Sequence, residues 1–227
     1  MRKTTGNLFL LYPLYLLVLT AMPLAAQDGR PDALAAYNTG RDLEARGRTQ
    51  EAEASYREAA RICNEEISSG AANADTYAVL TWTLQRQRKY GEVISTGERA
   101  LRLGNDLRVV ETMGEAYFYL GNYAASLRQM QRYVNALPQG GRASVAYFFI
   151  GEIFRLQGKN LSADIAYTTA LHVEGGGVAL WWYRLGQVRE AGKDYRAAVE
   201  AYEAALRITP SYRQAREGLE RSRQLSG

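Results

Sequence analysis

Five stretches of this chain carry the same pattern of residues, and that repetition limits the fold more than any other feature of the sequence. The last stretch reads Trp182-x-x-Leu185-Gly186, then Tyr195, Ala198-x-x-x-Tyr202, Ala205-Leu206 and Pro210. Offset by 35 residues toward the N-terminus comes Tyr147-x-x-Ile150-Gly151-x-x-Phe154, Gly158, Ala163-x-x-x-Tyr167 and Ala170-Leu171. A further 37 residues back stand Val110-x-x-Met113-Gly114-x-x-Tyr117, Gly121, Tyr123, Met130 and Tyr133-Val134. Another 33 gives Tyr77-x-x-Leu80-Thr81-x-x-Leu84, Tyr90, Val93 and Ala100-Leu101, and another 41 gives Ala36-x-x-Thr39-Gly40-x-x-Leu43, Gly47, Ala52-x-x-x-Tyr56 and Ala59.

Each copy predicts two antiparallel helices. Apolar residues at positions four, seven and eleven of a copy fall on one helical face. The small residue at position eight, with Ala52, Ala163 or Ala198 on the second helix, lets the two helices approach closely. Arg46-Gly47-Arg48, Leu120-Gly121-Asn122 and Gln157-Gly158-Lys159 turn the chain between them. Pro138 and Pro210 stop second helices. The second copy departs from the pattern, with Thr81 for the glycine, Val93 for the small residue and Gly97 where an aromatic is usual. Seven residues beyond a 34-residue spacing, around Ile67 to Asn73, predict a longer second helix in the first copy.

With these residues at these spacings the chain resembles a tetratricopeptide-repeat protein over residues 33–210. The resemblance implies an all-α, right-handed superhelical solenoid of antiparallel helix pairs. Its five repeats would span 33–73, 74–106, 107–143, 144–178 and 179–210. Residues 211–227 would form a capping helix, with Tyr212, Ala215 and Leu219 on its packed side.

Residues 1–26 read as a signal peptide, with 27–32 as a lead-in. Arg2 and Lys3 precede an apolar run from Leu8 to Thr20, and Ala25-Ala26 leads straight into Gln27-Asp28-Gly29-Arg30. Cleavage is expected after Ala26, which places the mature chain in the periplasm or outside the cell; an uncleaved anchor is the alternative. No later stretch is apolar for the length of a membrane span. The formal net charge of +4 falls to +2 once Arg2 and Lys3 are removed, and the remaining basic residues lie among acids, so no nucleic-acid stripe exists.

Little in the sequence points to catalysis. Cys63 is alone and predicts a buried small hydrophobe. His172, the single histidine, predicts a residue of a helix's last turn, and no ligand-spaced cluster for a metal or cofactor is present. Gly175-Gly176-Gly177 lacks the Lys-Ser/Thr of a phosphate loop and reads as a linker.

If positions four, seven, eight and eleven pack inward, positions two, five, nine, twelve and thirteen line a concave groove. The expected groove residues are Tyr37, Arg41, Trp82, Arg86, Arg108, Glu115, Phe118, Tyr119, Phe148, Glu152, Arg155 and Tyr183, with Glu44, Gln85 and Glu111 beside them. The resemblance implies that such a groove holds a peptide or protein segment, here from an envelope protein. The Lys/Asn clamp of some cytosolic members is absent, since position five holds Tyr37, Ala78, Glu111, Phe148 and Tyr183. Two alternatives stay open. One is a self-assembling module using Trp181 or Tyr183 as a homo-oligomer contact. The other is a ligand-binding accessory of an exported or membrane complex.

Overall fold

The computed structural model describes residues 32–227, so the expected signal peptide and its cleavage point lie outside the described residues. The described chain is all helix and turn. Five helix pairs follow one another: α1 (Ala33–Ala45) with α2 (Thr49–Ser69), α3 (Ala74–Arg86) with α4 (Tyr90–Leu103), α5 (Leu107–Tyr119) with α6 (Tyr123–Ala136), α7 (Ala143–Leu156) with α8 (Asn160–Glu174), and α9 (Ala179–Ala191) with α10 (Tyr195–Ile208). A final helix, α11 (Arg213–Ser226), packs on α10 and α9. Every helix packs on its neighbours in sequence. The first helices of successive repeats also meet, as α1–α3, α3–α5 and α5–α7, and this row forms the inner face of the superhelix.

Side chains set the helix ends. Asp32 caps α1, its Oδ1 accepting from the Leu34 and Ala35 N–H groups at 2.9 and 3.1 Å. Asn73 and Thr76 form a reciprocal capping box on α3. The surplus residues of the first repeat lengthen α2, which ends at left-handed Gly70. Gly47, Gly121 and Gly158 hold φ near +70 to +77° in the turn within repeats one, three and four. In repeats two and five that place belongs to Arg88 (φ 58°) and Lys193 (φ 63°). An L-residue in the left-handed region costs about 1 kcal/mol relative to glycine. Arg88→Gly is therefore expected to raise unfolding stability by up to about 1 kcal/mol, read from the denaturant midpoint.

An aromatic ring against a glycine closes most helix pairs. A Cβ placed on Gly40 would lie 2.5 Å from the Tyr56 ring, one on Gly151 2.7 Å from Tyr167, and one on Gly186 2.6 Å from Tyr202. In repeat three Met130 takes the ring's place over Gly114. Repeat two exchanges the partners. Thr81 is fully buried and its hydroxyl donates to the Ala78 carbonyl at 2.9 Å, while small Gly97 opens a hole on α4 that Met113 of the next repeat fills. The ring-on-glycine contact inside the other pairs is thus replaced in repeat two by a contact across the repeat boundary, Met113 on Gly97.

Cys63 is completely buried, and burial pushes its thiol up to about 12. His172 is exposed in the last turn of α8. Ala215 and Leu219 of α11 cover the end of the core, joined by buried Gly218 and Ser222.

Candidate functional site: the inner groove of repeats one to three

A concavity of about 810 Å³ opens on the inner face of the first three repeats. Repeat one supplies Tyr37, Arg41 and Glu44 from α1. Repeat two supplies Trp82, Gln85 and Arg86 from α3, with Arg88 and Tyr90 at the turn into α4. Repeat three supplies Arg108, Glu111, Glu115 and Tyr119 from α5, and Arg142 reaches in from the head of α7.

The walls carry aromatic faces. Tyr37 and Trp82 rings lie 5.7 Å apart, and Tyr90 and Tyr119 stack at 4.9 Å with planes 14° apart. Tyr119 keeps 53% of its surface in solvent, so one face of that stack is presented to the groove. The Arg41 guanidinium lies over the Tyr37 ring at 6.0 Å, and that of Arg108 over Trp82 at 5.9 Å.

Charges on the walls are mostly committed to one another. Arg86 pairs with Glu44 at 3.4 Å, and Arg108 with Asp75 at 2.8 Å and Asp106 at 2.7 Å. Glu111 is only 3% exposed. Arg142 reaches it at 3.0 Å and also holds Glu115, which accepts from Gln85 Nε2 at 3.1 Å. Burial and the neighbouring Glu115 carboxylate push Glu111 well above the usual carboxylate range, with Arg142 pulling the other way.

A three-part contact recurs through the solenoid. Tyr56 donates to Glu44 at 2.8 Å, and Glu44 takes Arg86 from the next repeat. Tyr167 donates to Glu152, which takes Arg184 from the next repeat at 3.0 Å. Tyr202 donates to Glu190 at 2.6 Å, which takes Arg221 of α11 at 2.9 Å. Burial, then the adjacent glutamate, pushes all three phenols well above their ordinary value. These groups tie one repeat to the next.

Of the residues expected in the groove, Tyr37, Arg41, Trp82, Arg86, Arg108, Glu115 and Tyr119 come together there, as do Glu44, Gln85 and Glu111. The others lie elsewhere. Phe118 packs edge-on against Phe149 at 5.0 Å, and Phe148 stacks flat on Trp181 at 5.2 Å, so both rings serve the interior between helices. Glu152 is 6% exposed beneath Tyr167, Arg184 and Arg155, and Arg155 is turned onto it at 3.0 Å. Tyr183 lies against Tyr212 at 5.0 Å and accepts from Gln187 at 2.8 Å. Trp181, named as an exposed oligomer contact, is 7% exposed. Arg88, Tyr90, Tyr133 and Arg142 line the concavity without having been expected. They come from turns and second helices, outside the first-helix positions. The signal that could have found Arg88 is a charged residue standing where other repeats place glycine.

Among the described residues no group of three His, Cys, Asp or Glu side chains is placed to hold a metal ion, and no helix is long and apolar enough to cross a membrane.

Residues 179–212 match the sequence pattern of the tetratricopeptide-repeat family. No curated protein matches the chain by sequence. Among solved structures the chain is similar to MamA 41-end from Desulfovibrio magneticus RS-1, with a TM-score of 0.62 and 17% identity over 79% of this chain and 96% of that one. YrrB, a TPR protein with an unusual peptide-binding site, superposes with a TM-score of 0.57 and 21% identity over 85% and 94% of the two chains. A chain of the APC/C hetero-tetramer Cut9–Hcn1 gives 0.66 and 15%, over 85% of this chain and 36% of that one. With five paired repeats, glycine-seated rings and a tetratricopeptide-repeat match in its fifth copy, this chain folds from Ala33 to Ser226 as an all-α superhelical solenoid of the tetratricopeptide-repeat kind.

Proposed function

We propose that this chain is a non-catalytic interaction scaffold of the cell envelope, exported through residues 1–26, which holds a peptide or protein segment in the groove of its first three repeats. The observation that carries the reading is the concavity itself. It is about 810 Å³, rigidly built on three packed helices, and lined by aromatic faces and arginines of the kind that anchor protein partners. YrrB, a solenoid of the same fold, has a peptide-binding site, so the architecture can build one. The envelope part of the proposal rests on the basic, apolar and small-residue order of the first 26 residues.

Crosslinking capture from an envelope extract tests both parts. The mature protein recovered there should begin at Gln27. Trp82→Ala combined with Tyr119→Ala should lower partner recovery by at least about 2 kcal/mol, roughly thirtyfold in affinity, with the helical circular-dichroism signal retained. Wild-type recovery by the double variant would remove the groove from the proposal.

A further inference from the structure

Charge, traced residue by residue, narrows what the groove accepts. Glu44, Glu111 and Glu115 are the acids on its wall, and each already receives an arginine: Arg86 for the first, Arg142 for the other two. Arg108 is held by Asp75 and Asp106. Two wall arginines, Arg41 and Arg88, form no ion pair among the described residues. Counted over its lining side chains the groove holds five arginines, Arg41, Arg86, Arg88, Arg108 and Arg142, against three glutamates, so its wall is net positive although Glu111 and Glu115 share one guanidinium. Arg88 reaches the groove from a left-handed position that repeats one, three and four give to glycine, so the turn carries strain that glycine would relieve. Lys193 shares that conformation but does not line the groove, whereas at Arg88 the left-handed turn carries a guanidinium with no ion pair among the described residues. Beside Arg88 the Tyr90–Tyr119 stack offers an aromatic face, and near Arg41 the half-buried Trp82, backed by buried Tyr37, offers another.

We infer that the groove's ligand is an acidic segment of a partner protein, whose Asp and Glu carboxylates meet Arg41 and Arg88 while interleaved apolar side chains lie on Trp82 and Tyr119. The inference rests on the groove reading above and adds the class of segment. Arginine suits the task because its planar fork takes a carboxylate through two hydrogen bonds.

Fluorescence anisotropy with the full-length chain decides it, using three labelled peptides of equal length with amidated C-termini. One alternates Asp or Glu with Phe or Leu, the second replaces each acid by its amide, and the third carries Lys instead. The acidic peptide should bind, weaken as salt is added, and outbind both others by about tenfold or more. Arg41→Gln with Arg88→Asn should remove that preference without loss of helicity, and Arg88→Gly should weaken binding while raising the thermal midpoint. Equal binding of the amide peptide, preference for the Lys peptide, unchanged affinity in the arginine variants, or no binding of any peptide overturns the acidic assignment. If the amide peptide binds and Trp82→Ala with Tyr119→Ala abolishes it, the groove reading survives that failure. If the aromatic variant leaves all binding intact, both fall. Amidation leaves side-chain carboxylates as the source of recognition, so a peptide bound only with a free C-terminus also counts against the inference.

Discussion

Tyr202→Ala is expected to destabilise the protein by about 3–5 kcal/mol and to free its last helix. The Tyr202 ring has no solvent exposure. It sits between two helices that approach through glycine: a Cβ on Gly186 of α9 would lie 2.6 Å from the ring, and one on Gly218 of α11 2.5 Å. Alanine therefore leaves a cavity walled on two sides by backbone that has no side chain with which to fill it. The hydroxyl adds a second loss, since it donates to Glu190 at 2.6 Å, and the same carboxylate takes Arg221 from α11. Burial tends to raise the Glu190 pKa, but the hydrogen bonds from Arg221 and Tyr202 outweigh it and hold the carboxyl below its usual value. In a repeat array each unit is stabilised by its neighbours, so the damage should concentrate at the C-terminal end. Amide exchange across Arg213–Ser226 should lose its protection while that of α5 and α6 changes little. Tyr202→Phe keeps the ring and leaves Glu190 with Arg221, so it should lose only about 1 kcal/mol. Full protection of α11 in the alanine variant would show that the ring is not what seats the cap.

What the sequence could say followed from contacts made inside one copy of the repeat. Gly40 with Tyr56, Gly151 with Tyr167 and Gly186 with Tyr202 lie at a fixed separation, so their periodicity is visible and the helix pairs can be placed from it. Contacts between copies leave no such trace. The pairing of Gly97 with Met113 crosses a repeat boundary, and within its own copy Gly97 looks like a defect. The same limit explains the groove. Position nine holds Arg41, Trp82, Glu115 and Glu152 in the first four copies, and a rule treating the copies as equivalent assigns all four to the wall. Glu152 leaves it because Tyr167 of its own repeat and Arg184 of the next converge on it. Phe148 leaves it because Trp181 of the next repeat provides a flat surface to stack on. Arg88 and Arg142 enter it from a turn and a helix start, places that the first-helix pattern does not sample.

Arg142→Ala should be the most damaging change on the groove wall, and its effect should depend on pH in one direction. The side chain of Arg142 is half-exposed, yet it is the cation on a glutamate that is almost wholly buried, and it joins the head of α7 to α5. Removing one partner of a buried pair typically loses 3–5 kcal/mol; because water can reach the space Arg142 vacates, about 2–3 kcal/mol is expected near neutral pH. Burial and Glu115 already raise the Glu111 pKa in the folded chain. An acid with a raised folded pKa holds more protons folded than unfolded. Its contribution is most favourable below the ordinary glutamate value and is lost as pH rises toward the folded value. Without Arg142 the folded value rises further, so the variant's deficit should grow as pH climbs past the already raised wild-type value of Glu111 and shrink below it. Urea midpoints measured across that value give the test, and a deficit independent of pH would mean that Arg142 acts through packing rather than charge. Glu111→Gln placed in the same chain removes the charge left buried and should recover most of the loss at neutral pH. Arg41 and Arg88 carry no such pairing among the described residues, so neutralising them should leave stability nearly unchanged or, at Arg88, improved. The arginines of this groove therefore divide by what each already holds: Arg142 keeps the wall standing, and Arg41 and Arg88, without an ion pair among the described residues, are the two that the proposed ligand would meet.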